Sequence, residues 1–397
     1  MSQACYLTDL GLVNALGGDG TGVSRALFSG HRGLVSCDWV PGKATYVAPV
    51  AAHLAPVPER LAAYGSRNAG LALTAVDQLS DTIGELKTRY QSSRIAVVAG
   101  SSTSGIAEGE RAVASYSQSG VTPPDYAYRA QEIGNLAELV AAYCELDGLA
   151  YTLSTACSSS AHALASAKRL LDTGMADAVI AGGADSLCRL TVNGFAALDS
   201  VSDTMCSPFS TNRRGINIGE AAAFFVVSKE PLRHRIQLLG AGASSDAHHI
   251  SAPDPEGAGA EAAISMALAE AGLRREDIGY VNLHGTGTPL NDAMESAVIS
   301  RLFPHQPQVS SSKGQIGHTL GAAGATEAGL MWLALTGGSG KLPPHCYDGH
   351  YDPALPQLNL VNTGDCLAAS GQPVFLSNSF AFGGNNAALI IGLADDA

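Results

Sequence analysis

Five continuous apolar runs of strand length, interleaved with helical segments, predict an α/β fold whose strands are largely parallel and buried on both faces. The runs are residues 94–100, 178–181, 223–227, 280–283 and 387–391. Residues 236–245 echo the strand-then-glycine opening of residues 5–18, which predicts a duplicated fold with halves 1–234 and 235–397. Composition agrees. With 46% hydrophobic residues, 15% charged and 45 glycines, the chain can build two stacked cores or an extensive subunit interface, closely packed at small residues.

The elements follow in order. Residues 4–16 read as a strand ending at Asn14 and a glycine cluster, and residues 23–28 as a short helix stopped by Gly30. Residues 31–60 read as irregular, punctuated by Pro41, Pro49, Pro56 and Pro58. Helical periodicity returns over 68–86 through Leu71, Ala75, Leu79 and Ile83, ahead of the run RIAVVAG at 94–100. Residues 151–160, YTLSTACSSS, read as a strand entering a tight turn, with an alanine-rich helix over 161–171.

Charge and cysteine usage exclude several function classes. A net charge of −13 argues against a nucleic-acid binder, which needs basic surface to neutralise phosphates. The first eleven residues show no basic segment leading into an apolar stretch, and no apolar run approaches the roughly 18 residues that cross a bilayer, so a cytoplasmic location and no membrane span are expected. Eight scattered cysteines without C-x-x-C spacing fit reduced thiols, neither a disulfide framework nor a metal site.

Cys157 stands out because it falls where the strand turns into the helix. Unpaired N–H groups and the helix dipole at a first turn favour thiolate, the reactive form, so Cys157 is expected to be a nucleophile activated by its helix. Packing is the ordinary fate of a free cysteine, and what singles this one out is its company. Residues 283–292, LHGTGTPLND, and 312–324, SKGQIGHTLGAAG, each place a histidine near the expected end of a strand. A cysteine with histidines from distant positions is an acyl-transfer constellation.

The order Cys157, His284, Lys313, His318, closing with NSFAFGGNN at 378–386, resembles the elongating β-ketoacyl-[acyl-carrier-protein] synthases, type I/II ketosynthases of the thiolase-like superfamily. The resemblance covers nearly the whole chain. It implies a thiolase-like α/β fold of two duplicated halves stacked as five layers (αβαβα), and decarboxylative Claisen condensation of an acyl thioester with malonyl carrier in fatty acid, polyketide or polyene elongation. No bound cofactor is implied, because the substrates ride on the phosphopantetheine arm of an acyl carrier protein. The implied partners are that carrier and a second subunit, as homodimer or as heterodimer with a homologous chain-length factor.

Roles follow from the same resemblance. Cys157 would carry the acyl group, with its N–H and that of Phe382 as the oxyanion hole. His284 and His318 would donate hydrogen bonds to the malonyl thioester carbonyl as neutral imidazoles. Lys313 and Glu327 would form a buried supporting pair, Thr286 and Thr288 would bind the phosphopantetheine arm, Ile106 would close the acyl pocket and Phe382 would gate it. The chain departs from its relatives at Asn385, where threonine is usual, at Ala381, where glycine is usual, and at residues 197–201, ALDSV, where an arginine facing the carrier is usual. Arg60, Arg67, Arg129 and Arg213 are the expected substitutes for carrier docking. A non-catalytic chain-length-factor subunit is the alternative, disfavoured because the nucleophile is present. A thiolase is disfavoured because the C-terminal glycine loop has no cysteine, and a Cys-His-Asn priming synthase because His318 fills the last position.

Overall fold

A computed structural model describes residues 4–368 and 373–394; the first three residues of the N-terminal stretch read above lie outside them. Ten strands build the sheet: β1 (Tyr6–Asn14), β2 (Ile95–Gly100), β3 (Ala150–Leu153), β4 (Ala178–Asp185), β5 (Ala221–Ser228), β6 (Ile236–Ser245), β7 (Tyr280–Asn282), β8 (Gln308–Ser310), β9 (Val374–Ala381) and β10 (Asn385–Leu393). With the two-residue strand Asn359–Leu360 at one edge, the order is β8-β7-β9-β10-β6-β1-β5-β4-β2-β3.

That order contains one pattern twice. In the first half β1 pairs antiparallel with β5, β5 antiparallel with β4, β4 parallel with β2, and β2 parallel with β3. In the second half β6, β10, β9, β7 and β8 pair in the same sequence and directions. The halves meet where Tyr6 pairs with Gln237.

Eight helices matter for the layers and the site: α1 (Arg67–Asp77), α2 (Ile106–Ser119), α3 (Asn135–Cys144), α4 (Ser159–Asp172), α5 (Arg189–Ala197), α6 (Ala258–Ala271), α7 (Pro289–Leu302) and α8 (Ala323–Thr336). Residues of α4 and α8 share the central core with inward side chains of β1, β5, β6 and β10. Helices α1 and α3 cover the outer face of the first half, and α6 and α7 that of the second. This is the thiolase-like five-layer α/β fold that the resemblance implied. Helix α8 is buried on nearly every side, as its apolar sequence AGATEAGLMWLALT requires. Small residues let the two central helices touch: a Cβ added to Gly324 would lie 2.6 Å from Ala161 Cβ and 2.6 Å from its backbone nitrogen.

Two sequence expectations change. The stretch read as irregular contains paired short strands, Val35–Cys37 and Thr45–Ala48. The helix expected over 68–86 is two helices, α1 and Ser80–Arg89. The break frees Gln78, whose amide accepts from the Leu12 N–H at 3.2 Å and donates to the Leu12 and Gly18 carbonyls, tying the helix end to β1. Among the described residues no helix is long and apolar enough to cross a membrane.

The α4–α8 contact has no room for one more carbon. Gly324→Ala is expected to cost about 1–3 kcal/mol through overpacking. Urea unfolding should show a lower midpoint with an unchanged slope.

Candidate active site

Strand β3 ends at Leu153 and α4 begins at Ser159, so Cys157 sits one residue ahead of the helix cap, Ser158. The turn is fixed locally: the Thr155 N–H donates to Ser159 Oγ at 2.9 Å, and Ser158 Oγ and Ser159 Oγ donate to the carbonyls of Thr155 and Ala156. Ala156 adopts φ 51°, a left-handed conformation that a non-glycine residue holds only when its surroundings impose it.

The expected thiolate is not what this geometry gives. Burial pushes the Cys157 thiol up to about 12, outweighing the Lys313 charge and the hydrogen bonds from the backbone N–H groups of Phe382 and Cys157. The thiol lies ahead of the helix and in an apolar pocket, where desolvation exceeds the dipole's help. Burial thus favours the neutral thiol at rest. The same two N–H groups lie within reach of the sulfur.

His284 follows β7 directly. His318 is separated from β8 by a short helix, Lys313–Ile316, so it does not end a strand as expected. Their rings lie 5.4 Å apart at 82°, and both line the pocket that holds Cys157. Burial first, and the Lys313 charge second, hold both imidazoles well below their ordinary value, so both are neutral near pH 7. Each Nδ1 is buried without a hydrogen-bond partner among the described residues.

Backbone contacts hold the two histidines. The His318 N–H donates to the Asn217 carbonyl at 2.7 Å, and its carbonyl accepts from the Gly219 N–H at 2.9 Å. The N–H groups of His284 and Gly285 donate to the two oxygens of Glu295 at 2.8 and 2.7 Å, and Asp292 accepts from the Gly287 and Phe209 N–H groups. Lys313 Nζ donates to Glu327 at 2.5 Å, both side chains being 1% exposed. Removing one partner of such a buried pair typically costs about 3–5 kcal/mol. Glu295, Asp292 and Asn217 escaped the sequence reading. A signal for two of them was present: acids three apart on a helix that starts with Pro289 lie on one face, one turn below the histidine loop.

Phe382 and the threonines line the Cys157 pocket. The Phe382 and Phe195 ring centres lie 5.4 Å apart with the rings tilted by 52°, and Thr286 Oγ1 lies 2.8 Å from Thr288 Oγ1. Gly383 and Gly384 hold φ 81° and 75°, with the Gly383 N–H on the Ile250 carbonyl and the Gly384 carbonyl on the Asp246 N–H. Ile106 is elsewhere. It starts α2 and lines a separate apolar cleft with Gly109, Tyr116 and Leu190. The arginines expected at the carrier surface are engaged: Arg67 with Glu220, Arg129 with Glu132 and Glu138, Arg213 with Asp352, and Arg60 with the carbonyls of Ala142 and Tyr143.

A duplicated thiolase-like fold with a cysteine and two neutral histidines in one pocket defines an acyl-transfer class, and comparison with known proteins places the chain within it. The family models for the β-ketoacyl synthase N-terminal and C-terminal domains match residues 40–231 and 236–346, and the chain belongs to that family. It is 45% identical, with a TM-score of 0.93 over 99% of this chain and 98% of the other, to a chain of the complex between the ketosynthase ApeO and its chain length factor ApeC from Xenorhabdus doucetiae. A β-ketoacyl synthase from Burkholderia phymatum STM815 superposes with a TM-score of 0.88 at 28% identity, covering 99% of this chain and 100% of that one. The 3-oxoacyl-[acyl-carrier-protein] synthase 2 of Rhizobium meliloti is 37% identical over 273 residues, 62% of this chain and 61% of that protein. The chain thus spans about three fifths of that curated relative's length.

Glu295 gives a pH test. Burial pushes its carboxyl up to about 7 from 4.5, so its stabilising contribution is complete below 4.5 and is lost as pH rises through 7. Wild type should lose on the order of 2 kcal/mol relative to Glu295→Gln between about pH 5 and about pH 8. Urea unfolding at both pH values measures it, and a pH-independent difference would contradict the assignment.

Proposed function

We propose that this chain is an elongating ketosynthase acting on carrier-bound substrates, and the observation that carries the reading is the meeting of Cys157 with neutral His284 and His318 in one pocket. The Cys157 sulfur attacks the acyl thioester, the carbonyl oxygen resting on the N–H groups of Cys157 and Phe382. The carbon–sulfur bond to the phosphopantetheine arm breaks, and the thiol proton goes to the departing sulfur. This overall exchange consumes no proton, which suits a thiol neutral at rest.

Malonyl carrier then binds with its thioester carbonyl on the imidazole N–H groups of His284 and His318. Loss of carbon dioxide leaves its electron pair as an enolate, and neutral donors stabilise that charge without having to take up a proton. The enolate carbon attacks the acyl thioester on Cys157. The tetrahedral oxyanion collapses, expelling the Cys157 thiolate, which takes one proton from solvent. Lys313, held by Glu327, supplies fixed positive charge beside both histidines, and Thr286 and Thr288 receive the arm at the mouth. We retain Phe382 as the gate. Ile106 keeps its role at the acyl pocket's far end only if the α2 cleft opens to that pocket on acylation. The division into 1–234 and 235–397 is supported by the repeated strand order, and a cytoplasmic site by eight free thiols.

The partner reading rests on surface. Strand β3 is an open sheet edge, and α2 and α5 expose Val113, Tyr116 and Leu190 around the apolar cleft. We propose that a homologous subunit, of the kind present in the ApeO–ApeC complex, covers this face. Tyr116→Asp combined with Val113→Asp should leave a monomer in native mass spectrometry, where wild type, alone or with a co-expressed chain-length factor, is a dimer.

The division of labour makes the mechanism testable. Cys157→Ala should abolish condensation but keep carbon dioxide release from malonyl carrier. His318→Ala should lose roughly a hundred- to a thousandfold in decarboxylation while Cys157 still acylates. Equal loss of decarboxylation in both folded variants would sink the assignment.

A further inference from the structure

Strand β4 ends on Asp185, which is fully buried and whose hydrogen-bond partners are all neutral. Buried acids are retained at a cost, and this one accepts from an unusual number of donors. Ser101 Oγ and Ser102 Oγ donate at 2.6 Å, Thr103 Oγ1 at 2.8 Å, and the N–H groups of Ser102 and Thr103 at 2.9 Å. All five belong to the loop after β2, in the first half. The sixth donor is the Gly321 N–H at 2.6 Å, in the second half, three residues beyond His318. Ser102 Oγ also accepts from Gly321, at 3.2 Å.

The turn that Asp185 grips is not held by its own conformation. Gly317 has φ 66° and Leu320 φ 51°, so His318 lies between two left-handed residues. Asn217 and Gly219 fix the backbone at His318 itself, and Asp185 fixes the far side of the turn. The approach is close: a Cβ on Gly321 would lie 2.7 Å from Asp185 Oδ2 and 2.7 Å from the Ser102 nitrogen. Behind it the Ala325 N–H donates to Ser160 Oγ of the nucleophile helix at 2.9 Å.

We propose that Asp185 is a positioning residue that sets the His318 imidazole against Cys157 by pinning the Gly321 turn to the Ser101–Ser102–Thr103 loop of the opposite half. The role rests on the ketosynthase reading only for its assay. His318 serves the malonyl half of the reaction, whereas Cys157 acylates through its own turn and the Phe382 N–H. Loosening the pin should therefore affect one partial reaction and spare the other.

Asp185→Asn keeps the shape but turns one acceptor into a donor facing donors. Because a displacement of about 1 Å can cost up to a hundredfold, malonyl-carrier decarboxylation should fall roughly 10- to 100-fold while Cys157 acylation changes by less than about threefold. Ser102→Ala removes one hydroxyl shared by Asp185 and Gly321, and should produce the same imbalance at roughly 3- to 10-fold. It decides the matter if Asp185→Asn does not fold. A merely structural aspartate would lower both partial reactions together with the folded fraction, measured by thermal melting on the same samples. That outcome, or no change in either reaction, overturns the proposal. Wild-type protein unable to condense acyl and malonyl carriers would instead sink the ketosynthase reading.

Discussion

Exclusion of water from the central helical layer shapes every group in the site. Desolvation raises the Cys157 thiol and the Glu295 and Glu327 carboxyls, and lowers the imidazoles of His284 and His318. A single cause thus gives a resting state with a neutral nucleophile and two neutral donors. Lys313 is the cation within it, and Glu327 offsets its charge without leaving the pocket basic. A dry, weakly charged site suits a reaction whose negative charge moves from a thioester oxygen to an enolate and back, since hydrogen bonds fixed in advance act at low dielectric.

The central helices make that exclusion achievable. Helix α4 delivers Cys157 and α8 follows His318, and they touch where Gly324 meets Ala161. Larger residues there would separate the halves and admit water. The repeat therefore has a mechanistic consequence: each half presents one strand-to-helix turn to the centre, and the proposed chemistry needs one from each. Polar links such as Ala325 to Ser160 and Gly321 to Asp185 keep the faces in register where apolar packing alone would allow sliding.

The parts of this arrangement legible in the sequence were those written in local pattern. Buried strands such as 95–100 and 178–185 announce themselves as continuous apolar runs, and Cys157, His284, Lys313 and His318 stand in short distinctive stretches. What was not legible depends on distance in space. Asp185 ends an apolar strand as if it were a loop residue, and only the fold shows six donors from both halves closing on it. The state of Cys157 was misjudged for the same reason: helix position is visible in sequence, but burial, which outweighs it here, is a property of the assembled layers. Short strands within 31–60 were hidden by prolines, of which Pro41 lies between them and Pro49, Pro56 and Pro58 follow the second.

The surface raises a separate constraint on carrier approach. Arg67 and Arg213 serve pairs with buried or half-buried carboxylates, Arg129 is held in a surface pair with Glu132 and Glu138, and the pocket mouth carries Asp199 and Asp246 on its lining. Arg214 adjoins Gly215 of the mouth, with 68% of its side chain exposed and Asp203 at 3.8 Å, a separation at which an exposed pair is weakly bound. Lys43 reaches the Val201 carbonyl beside the same mouth. With few cations there and a chain of net charge −13, an acidic carrier gains little long-range attraction from this subunit. On the proposed reading, docking of a carrier would then rest on short-range contact at the mouth, near Thr286 and Phe382.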